Sequence, residues 1–449
     1  MGAYVIDSVL FRDQFGTEQM REIFSDETTV QRWLDVEAAL AKVQGKLGII
    51  PQDAADEIQR HARVELIDLH ELKREMDRTA HPIVPLLRAM KPLCKDNAGE
   101  YIHWGATTQD IVDTGTMLQI RDALDVLEAD CKTLHANVSA LASRYRSQTM
   151  VGRSHGQQAL PITFGFKAAV WTEEIRRSLD RIREMKPRVL VGQFSGAVGT
   201  LAALGKDGIA VQEALFKELG LGTPRITWHV SRDNLAEMVC VLSIAAATAG
   251  KIAHEVYALQ KTETAELEEP FSLGKVGSST MPHKRNPPAC ETIIALARLV
   301  RATAPVALEA VMAEHERDKV VLQTEREFIS RTFSLVHAAI KKLCFVTSGL
   351  SVRTANMEKN LYVQNGLLLS EAVMMHLSEA LGRQEAHEII YHICMEVFEQ
   401  GGSLKDALLA QPQVADKLTE QEIDRMLDPH AYTGLAEHFV DQVLDQPAP

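Results

Sequence analysis

The sequence predicts an all-α protein, and three observations lead to that prediction. Aromatic residues make up only 5% of the chain, whereas strands are usually enriched in aromatic and β-branched residues. Apolar residues recur at the spacing of one helix face through several long segments. Proline and glycine are rare inside those segments; residues 231–268, for example, contain no proline and one glycine. At 449 residues the chain is too long for one ordinary core, so two or three domains are expected.

The first part of the chain, residues 1–108, is predicted to form an N-terminal helical domain. Within residues 27–47 the apolar side chains, among them Val30, Trp33 and Leu34, fall on one side of a helix. Pro51 then suits the start of the next helix, because proline is tolerated in a first turn. The helical pattern becomes more broken from residue 66 onward.

The longest predicted helices lie in a central domain, residues 109–350, and they cover residues 110–147, 163–190, 231–268, 289–313 and 325–350. If residues 231–268 are helical throughout, that helix extends roughly 57 Å at about 1.5 Å per residue. Its middle is apolar on all sides, which is typical of a helix surrounded by others. Such helices predict a large bundle completed by other subunits.

The last part of the chain, residues 351–449, is more polar and has shorter helical patterns, such as residues 366–381 and 384–399. We therefore predict a third, C-terminal helical domain.

Overall charge narrows the classes of partner. The formal net charge of −13 argues against nucleic acid and anionic membranes as partners. An anionic substrate would need a local basic pocket.

The cysteines and the N-terminus indicate the compartment. The cysteines stand singly and form no CxxC pair, which predicts free, mostly buried thiols in a reducing compartment. The N-terminal residues "MGAYVIDSVLF" do not have the pattern of a signal peptide. No apolar run approaches the roughly 18 residues of a membrane span. We expect a cytoplasmic protein.

The segment "HWGATTQD", His103 to Asp110, is the first candidate site. Two hydroxyls, an amide and a carboxylate lead directly into a long predicted helix. One interpretation is capping, in which Thr108 or Asp110 closes the helix N-terminus. The other is an anion site, because free N–H groups and hydroxyls at a helix N-terminus bind anions.

The segment "GRSHGQQALP", Gly152 to Pro161, is the second candidate site. It places Ser154 and His155 beside a glycine, in a loop expected just ahead of a helix. An arginine and two glutamines accompany them, which favours a functional histidine over an ordinary surface histidine.

The segment "GKVGSSTMPHKRNPP", Gly274 to Pro288, is the third and strongest candidate site. It predicts a loop of about 14 residues, where connections in bundles are usually about 2–8, and such long loops are commonly functional. Gly274 and Gly277 permit unusual backbone dihedrals, while three prolines limit disorder. The polar side chains that it offers are Ser278, Ser279, His283, Lys284 and Asn286.

Together the three segments suit one chemistry. Removing a proton next to a carboxylate gives a carbanion whose charge moves onto the carboxylate oxygens, so cations and preorganised donors are needed there. A base must remove the proton and an acid must protonate the leaving group. No metal-ligand cluster or nucleotide fingerprint competes with this interpretation, and we expect no cofactor.

The three segments resemble the signatures of a known group of enzymes. "GSSTMPHKRNP", "HWGATTQDIVDT" and "GRSHGQQALPITFG" are similar, in the same order, to the conserved regions of the fumarase/aspartase superfamily. The resemblance extends over essentially the whole chain, from "REIFSD" to "MLDPHAYTG". It implies an all-α fold of three domains and a homotetramer around a twenty-helix core, with each active site shared between subunits.

The resemblance also implies roles for individual residues. Ser278 would be the catalytic base and His155 the acid for the leaving group. The substrate-binding residues would be Thr107, Thr108, Gln109, Ser154, Ser279, Lys284, Asn286, His81 and His103. From chemistry alone, His155 or His283 would be the base, because a hydroxyl is a weak base at neutral pH.

Two branches of the superfamily remain open from the sequence. "HERDKVVLQTER" resembles the adenylosuccinate lyase segment in which two arginines, here Arg317 and Arg326, help to bind a nucleotide phosphate. Val320, Val321 and Leu322 replace the usual hydroxyl residues, which argues against a nucleotide. The two ends of the chain and "GATTQD" resemble the 3-carboxy-cis,cis-muconate cycloisomerases more closely.

We therefore expect a lyase that splits a substituted succinate by β-elimination and releases fumarate. The alternative is a cycloisomerase that acts on a carboxymuconate, so the substrate is a small di- or tricarboxylate in either case. A non-catalytic helical tetramer of the crystallin type is an alternative of another class.

Overall fold

Helices dominate the protein, in agreement with the predicted fold class. The computed structural model describes residues 4–271 and 278–447. The helices up to residue 259 are α1 (Arg12–Phe15), α2 (Glu18–Ile23), α3 (Asp26–Lys46), α4 (Gln52–His61), α5 (Leu69–Thr79), α6 (Ile83–Met90), α7 (Thr108–Arg144), α8 (Phe164–Val189), α9 (Gly208–Leu219) and α10 (Asp233–Leu259). Those that follow are α11 (Pro288–Arg301), α12 (Ala304–Glu309), α13 (Lys319–Ser348), α14 (Thr354–Leu361), α15 (Ser370–Leu381), α16 (Arg383–Gln400), α17 (Leu404–Ala410), α18 (Pro412–Ala415), α19 (Glu420–Met426) and α20 (Ala436–Leu444).

Short elements connect these helices. Single 3-10 turns cover Val64–Leu66, Lys91–Leu93, Ala98–Tyr101, Gly205–Asp207 and Leu367–Leu369. The described strands are β1 (Thr149–Ser154), β2 (Gln157–Thr163), β3 (Leu267–Glu268) and β4 (Ser351–Val352). Strand β1 pairs with β2 and β3 pairs with β4, both antiparallel. The hairpin β1–β2 was not foreseen, because the sequence predicts only a loop in that place.

Two helix predictions need correction in their extent. Helix α10 has 27 residues, roughly 40 Å, and ends at Leu259 rather than at residue 268. Ala265 has a φ of 50°, a left-handed conformation that a helix cannot continue through, and Glu266 donates its N–H back to the Leu259 carbonyl at 2.9 Å. The segment 289–313 is likewise divided between α11 and α12.

Chain contacts group the protein into two compact units. The first unit comprises residues 1–131, 178–250 and 292–341, and the second comprises residues 132–177, 251–291 and 342–449. The three consecutive domains expected from composition stay a prediction.

In the first unit, α3 packs against α4 and α9. Ser25 begins α3, because its side chain accepts a hydrogen bond from the Thr28 N–H at 3.1 Å. A Cβ added at Gly45 would lie 2.7 Å from the Ala55 Cβ, so the glycine lets α3 and α4 approach closely. Leu34 and Phe216 are fully buried beside these contacts.

In the second unit, α15, α16 and α17 pack together. Their apolar cluster includes the buried residues Val373, Leu377, Ile390, Ile393, Leu404 and Leu408. Strand β1 packs against α14, which holds the β1–β2 hairpin to this unit.

Helix α10 is the one described helix that is long and apolar enough to match a membrane span, with a hydropathy of 1.6 in its most apolar stretch. The sequence predicts this helix but not its match to a membrane span, because serine, threonine and glycine interrupt its apolar run. Most of that stretch, 61%, is buried inside the protein, as in the core helix of a globular protein.

Candidate active site

A cavity of about 590 Å³ in the first unit brings several predicted site residues together. The predicted residues that line it are His81, Thr107, Thr108, Gln109, Arg317 and Arg326. Phe24, Trp33, Met117, Leu322 and Ile329 supply an apolar part of its wall. The cavity therefore combines apolar surface with hydroxyls and cations.

The N-terminus of α7 is fixed by Asp110, a fully buried carboxylate. Its Oδ2 accepts the N–H groups of Thr107 and Gly196, each at 3.0 Å. Its Oδ1 accepts the N–H of Ser195 at 3.0 Å and lies 2.9 Å from His229 Nε2. Capping is thus the role of Asp110, and it leaves the hydroxyls of Thr107 and Thr108 at the cavity.

His81 joins the α7 N-terminus through Thr108. Its Nδ1 accepts the N–H of Val84 at 3.2 Å, so the proton of the neutral ring lies on Nε2, which is 3.1 Å from Thr108 Oγ1. Burial lowers the pKa of His81, and the charges of Lys319 and His103 lower it further. A neutral His81 donates its Nε2–H to the Thr108 hydroxyl.

His103 lies outside the described lining of the cavity and pairs instead with Glu37 of α3. Its Nδ1 is 2.6 Å from Glu37 Oε1, and its backbone N–H donates to Glu37 Oε2 at 3.1 Å. Burial lowers the pKa of His103, but the charge and hydrogen bond of Glu37, together with Asp110, outweigh it and leave this pKa raised. His103 has a φ of 64°, unusual for a residue with a side chain.

Three cations at the cavity contact neutral oxygens. Arg317 donates to Thr107 Oγ1 at 2.8 Å and to the Ala197 carbonyl at 2.6 Å. Arg326 donates to Gln323 Oε1 at 2.8 Å, and Lys319 donates to the Ala80 carbonyl at 3.0 Å. Within the described ranges none of the three forms a salt bridge, so an anionic ligand would not have to displace a carboxylate. Sequence reasoning missed Lys319, although its spacing of seven residues from Arg326 places both on one helix face.

A buried ionic cluster in the wall of the cavity was also missed by the sequence analysis. Arg232 donates to both oxygens of Asp113, at 2.8 and 3.0 Å, and to both oxygens of Glu325, at 2.6 and 2.5 Å. Burial lowers the pKa of Arg232, but the two carboxylates outweigh it and leave the pKa raised, so the guanidinium stays charged. Burial raises the pKa of Glu325 although Arg232 opposes this.

Gln109 lines the cavity and is also hydrogen-bonded to the ionic cluster. Its Nε2 donates to Asp113 Oδ2 at 3.0 Å and to the His229 carbonyl at 2.8 Å. Both partners are acceptors, which fixes the orientation of the amide. Its buried Oε1 has no hydrogen-bond partner among the described residues. The donor that Gln109 could offer to a substrate carboxylate is therefore occupied in this structure.

Ser154 and His155 lie in the second unit, at the end of the β1–β2 hairpin. His155 and Gly156 form its two-residue turn, with φ values of 52° and 79°, and positive φ at both positions is the type I′ turn favoured in tight hairpins. Arg153 anchors the hairpin through both oxygens of the buried Glu266, at 2.9 and 2.7 Å. His155 is therefore exposed at the turn of a hairpin that the Arg153–Glu266 ion pair anchors.

The segment after residue 277 is also part of the second unit, whereas Gly274 and Gly277, for which unusual dihedrals are predicted, lie outside the described residues. Ser278 Oγ accepts the backbone N–H groups of Thr280 at 3.3 Å and Met281 at 3.0 Å. Such hydrogen bonds favour negative charge on the oxygen. Ser279 and Lys284 are exposed and Asn286 is half-buried.

The described residues contain no group of three or more histidine, cysteine, aspartate or glutamate side chains placed to hold a metal ion. The described cysteines form no disulfide, and each is buried or half-buried, as predicted.

Comparison with known proteins agrees with the resemblance of the motifs. A family described as lyase matches residues 13–302, and one described as adenylosuccinate lyase C-terminus matches residues 366–443. The chain is 42% identical over 444 residues to N-acetyl-S-(2-succino)cysteine lyase of Enterococcus italicus, covering 99% of this chain and 97% of the relative. It is 38% identical to adenylosuccinate lyase of Methanocaldococcus jannaschii, covering 96% and 94%.

A solved structure supports the same assignment. The crystal structure of 3-carboxy-cis,cis-muconate lactonizing enzyme from Pseudomonas putida superposes with a TM-score of 0.92 at 37% identity, covering 97% of this chain and 98% of that one. The chain therefore belongs to the fumarase/aspartase superfamily and is one of its enzymes. Both branches expected from the sequence occur among its relatives, and the non-catalytic alternative finds no support.

Proposed function

We propose that the protein cleaves a small 2-substituted succinate by β-elimination and releases fumarate. The observation that carries this proposal is the cavity in which hydroxyls meet three cations that have no acidic partner among the described residues. A dicarboxylate is the kind of ligand that such a cavity attracts, because charge-assisted hydrogen bonds are stronger than neutral ones.

The catalytic roles follow from the chemistry of elimination. Ser278 removes the proton next to a carboxylate, and the two N–H groups at its Oγ stabilise the negative charge that the base carries. Lys284 and Asn286 hold the carboxylate on which charge develops, while Thr107 and Thr108 hold the other. His155 protonates the leaving group as the bond to it breaks and the double bond of fumarate forms.

The assembly is part of the proposal. The protein acts in the cytoplasm as a homotetramer whose active sites combine segments of several chains. The exposed tip of the β1–β2 hairpin supports this, because a histidine held on a projecting arm can reach a neighbouring copy.

Two observations limit the choice of leaving group: the name of a relative and the residues of the cavity wall. The Enterococcus relative is named for a succinyl thioether, and Leu322 lines the cavity here where a hydroxyl would suit a phosphate. We therefore favour a succinyl thioether or succinyl amine of small size over a succinylated nucleotide.

The cycloisomerase activity is the second candidate, because the lactonizing enzyme has a very similar fold. It uses the same proton chemistry as an addition of a carboxylate to a double bond. The presence of His155 as an acid for a leaving group favours elimination.

The test is a panel of purified substrates. Fumarate formation should be measured with N-acetyl-S-(2-succino)cysteine, adenylosuccinate, argininosuccinate, aspartate and malate, and lactone formation with 3-carboxy-cis,cis-muconate. We expect fumarate from the thioether and poor or no turnover of adenylosuccinate. A kcat/KM above roughly 10⁴ M⁻¹s⁻¹ with adenylosuccinate would identify a nucleotide as the substrate, and lactone formation alone would establish the cycloisomerase.

A further inference from the structure

The first turns of α13 form one wall of the cavity. Its lining residues Lys319, Leu322, Gln323, Arg326 and Ile329 recur at the spacing of a single helix face. Lys319 and Arg326 are seven residues apart, roughly 10 Å along the axis, with Leu322 and Gln323 between them. This face offers a cation at each end of a short, partly apolar strip.

Lys319 has hydrogen-bonding capacity left for a ligand. Its ammonium has three N–H donors, and its hydrogen bond to the Ala80 carbonyl uses one of them. Arg317 is held in place by hydrogen bonds from both of its terminal nitrogens, to Thr107 and to the Ala197 carbonyl. Lys319 is exposed at the cavity and can take a ligand without losing an ion pair.

The charges around the cavity leave Lys319 uncompensated. Asp113 and Glu325 are both committed to Arg232. Asp26 is the remaining acid in the described lining, and it forms no salt bridge with any described cation. The wall that contains Lys319 therefore has an excess of positive charge toward the ligand.

We infer that Lys319 binds a carboxylate of the leaving group, so that the substrate is a succinyl conjugate of a small carboxylic acid. The inference rests on the proposed function and adds to it the residue that recognises the leaving group. The two succinyl carboxylates already have proposed ligands in Thr107, Thr108, Lys284 and Asn286. Lys319 contacts the carbonyl of Ala80, the residue before His81, and the His81 ring contacts the Thr108 hydroxyl. Leu322 lies about one helical turn from Lys319 and would contact the methylene groups of the conjugate.

Two matched substrates test the inference. The 2-succinyl thioethers of N-acetylcysteine and of N-acetylcysteamine differ by one carboxylate, which only the first possesses. We expect the wild type to prefer the first by about tenfold or more in kcat/KM, the typical effect of a charge-assisted contact. Lys319→Met should abolish that preference by lowering kcat/KM with the first substrate and leaving the second within about twofold.

Further variants separate recognition from structure. Lys319→Arg should retain most of the preference, and Lys319→Glu should shift it toward the thioether of free cysteamine, which ends in an ammonium. Lys217→Met removes an exposed lysine of α9 that does not line the cavity. This control variant should have the same kcat/KM as the wild type with both substrates. An equal loss with both substrates in Lys319→Met would overturn the inference, because Lys319 would then only hold Ala80 and His81. The inference would also be overturned if Lys319→Met had the same kcat/KM as the wild type with both substrates.

A binding measurement keeps this inference apart from the proposed function. If the wild type releases fumarate from neither thioether, the proposed elimination fails on these substrates. Calorimetric titration with N-acetylcysteine and N-acetylcysteamine then decides the inference alone. Tighter binding of the carboxylate by the wild type but not by Lys319→Met supports it, whereas equal binding, or none by the wild type, overturns it.

Discussion

His103 Nδ1 lies 2.6 Å from Oε1 of Glu37, a carboxylate with no exposure to solvent. The backbone N–H of His103 donates to the other oxygen of the same carboxylate. The two contacts together fix the imidazole ring and its protonated nitrogen. They also hold the segment that leads to Thr107 against α3.

The pair predicts a pH dependence of stability. Because the pKa of His103 is raised above its usual 6.5, the pair stabilises the fold fully below that value, and this contribution is lost as pH rises through the raised pKa. Glu37→Gln should therefore lower Tm more at pH about 6 than at pH about 8. The control Glu327→Gln, which breaks an exposed pair with Arg331, should show no such trend. If the difference in Tm between the wild type and Glu37→Gln stays constant or widens as pH rises, the raised pKa of His103 is contradicted. NMR titration of His103 would measure that pKa directly.

Replacement of Ser278 tests the base. Ser278→Ala removes the oxygen that accepts two backbone N–H groups, and kcat should fall about a thousandfold or more while Tm changes little. Ser348→Ala, which removes an exposed hydroxyl elsewhere in the same unit, should retain wild-type kcat. If Ser278→Ala keeps more than about a tenth of wild-type kcat, another group is the base.

Lys284 and its neighbour Arg285 form a matched pair of cations. Arg285 lies 4.5 Å from the centre of the Phe271 ring and bonds Glu268 at 3.0 Å, so its partners are structural. Lys284→Met should abolish turnover and weaken binding of a dicarboxylate inhibitor, whereas Arg285→Met should leave most of the inhibitor affinity intact. Inhibitor affinity that is unchanged in Lys284→Met would remove this lysine from the carboxylate site.

Mixing of inactive variants tests the sharing of active sites. Ser278→Ala and His155→Ala proteins are denatured together and refolded. If the two residues of one site come from different chains, random assembly leaves about a quarter of the sites intact, and activity should return to roughly that fraction. Hybrid oligomers that remain inactive would show that both residues come from one chain.

The sequence predicts the helices of this fold better than it predicts the β1–β2 hairpin. Helices such as α3 and α7 extend over many turns, so their apolar periodicity is unambiguous. Strand β1 has only six residues, and such short apolar runs do not distinguish strand from helix. Its turn uses His155 and Gly156 instead of the usual asparagine and glycine, which hides the hairpin signal.

Some residues of the candidate site can be predicted from the sequence and others cannot. Thr107, His155 and Ser278 stand in polar motifs that contrast with apolar surroundings, so they are visible in the sequence. Glu37 and Arg232 have no such local signal, because each gains its role from a partner more than 60 residues away. Pairing of this kind is tertiary, and spacing along the chain does not encode it.

Helix α10 has a consequence for the biosynthesis of the protein. Until its neighbours exist, its apolar stretch offers the cellular machinery the same surface as a membrane anchor. Gly250 of α10 approaches Ala297 of α11 so closely that an added Cβ would lie 2.7 Å from the Ala297 Cβ, so its cover includes residues that are translated later. At about 5–20 residues per second, completing α11 after Leu259 takes roughly 2–8 s, and during that time the apolar stretch lacks the part of its cover that α11 supplies.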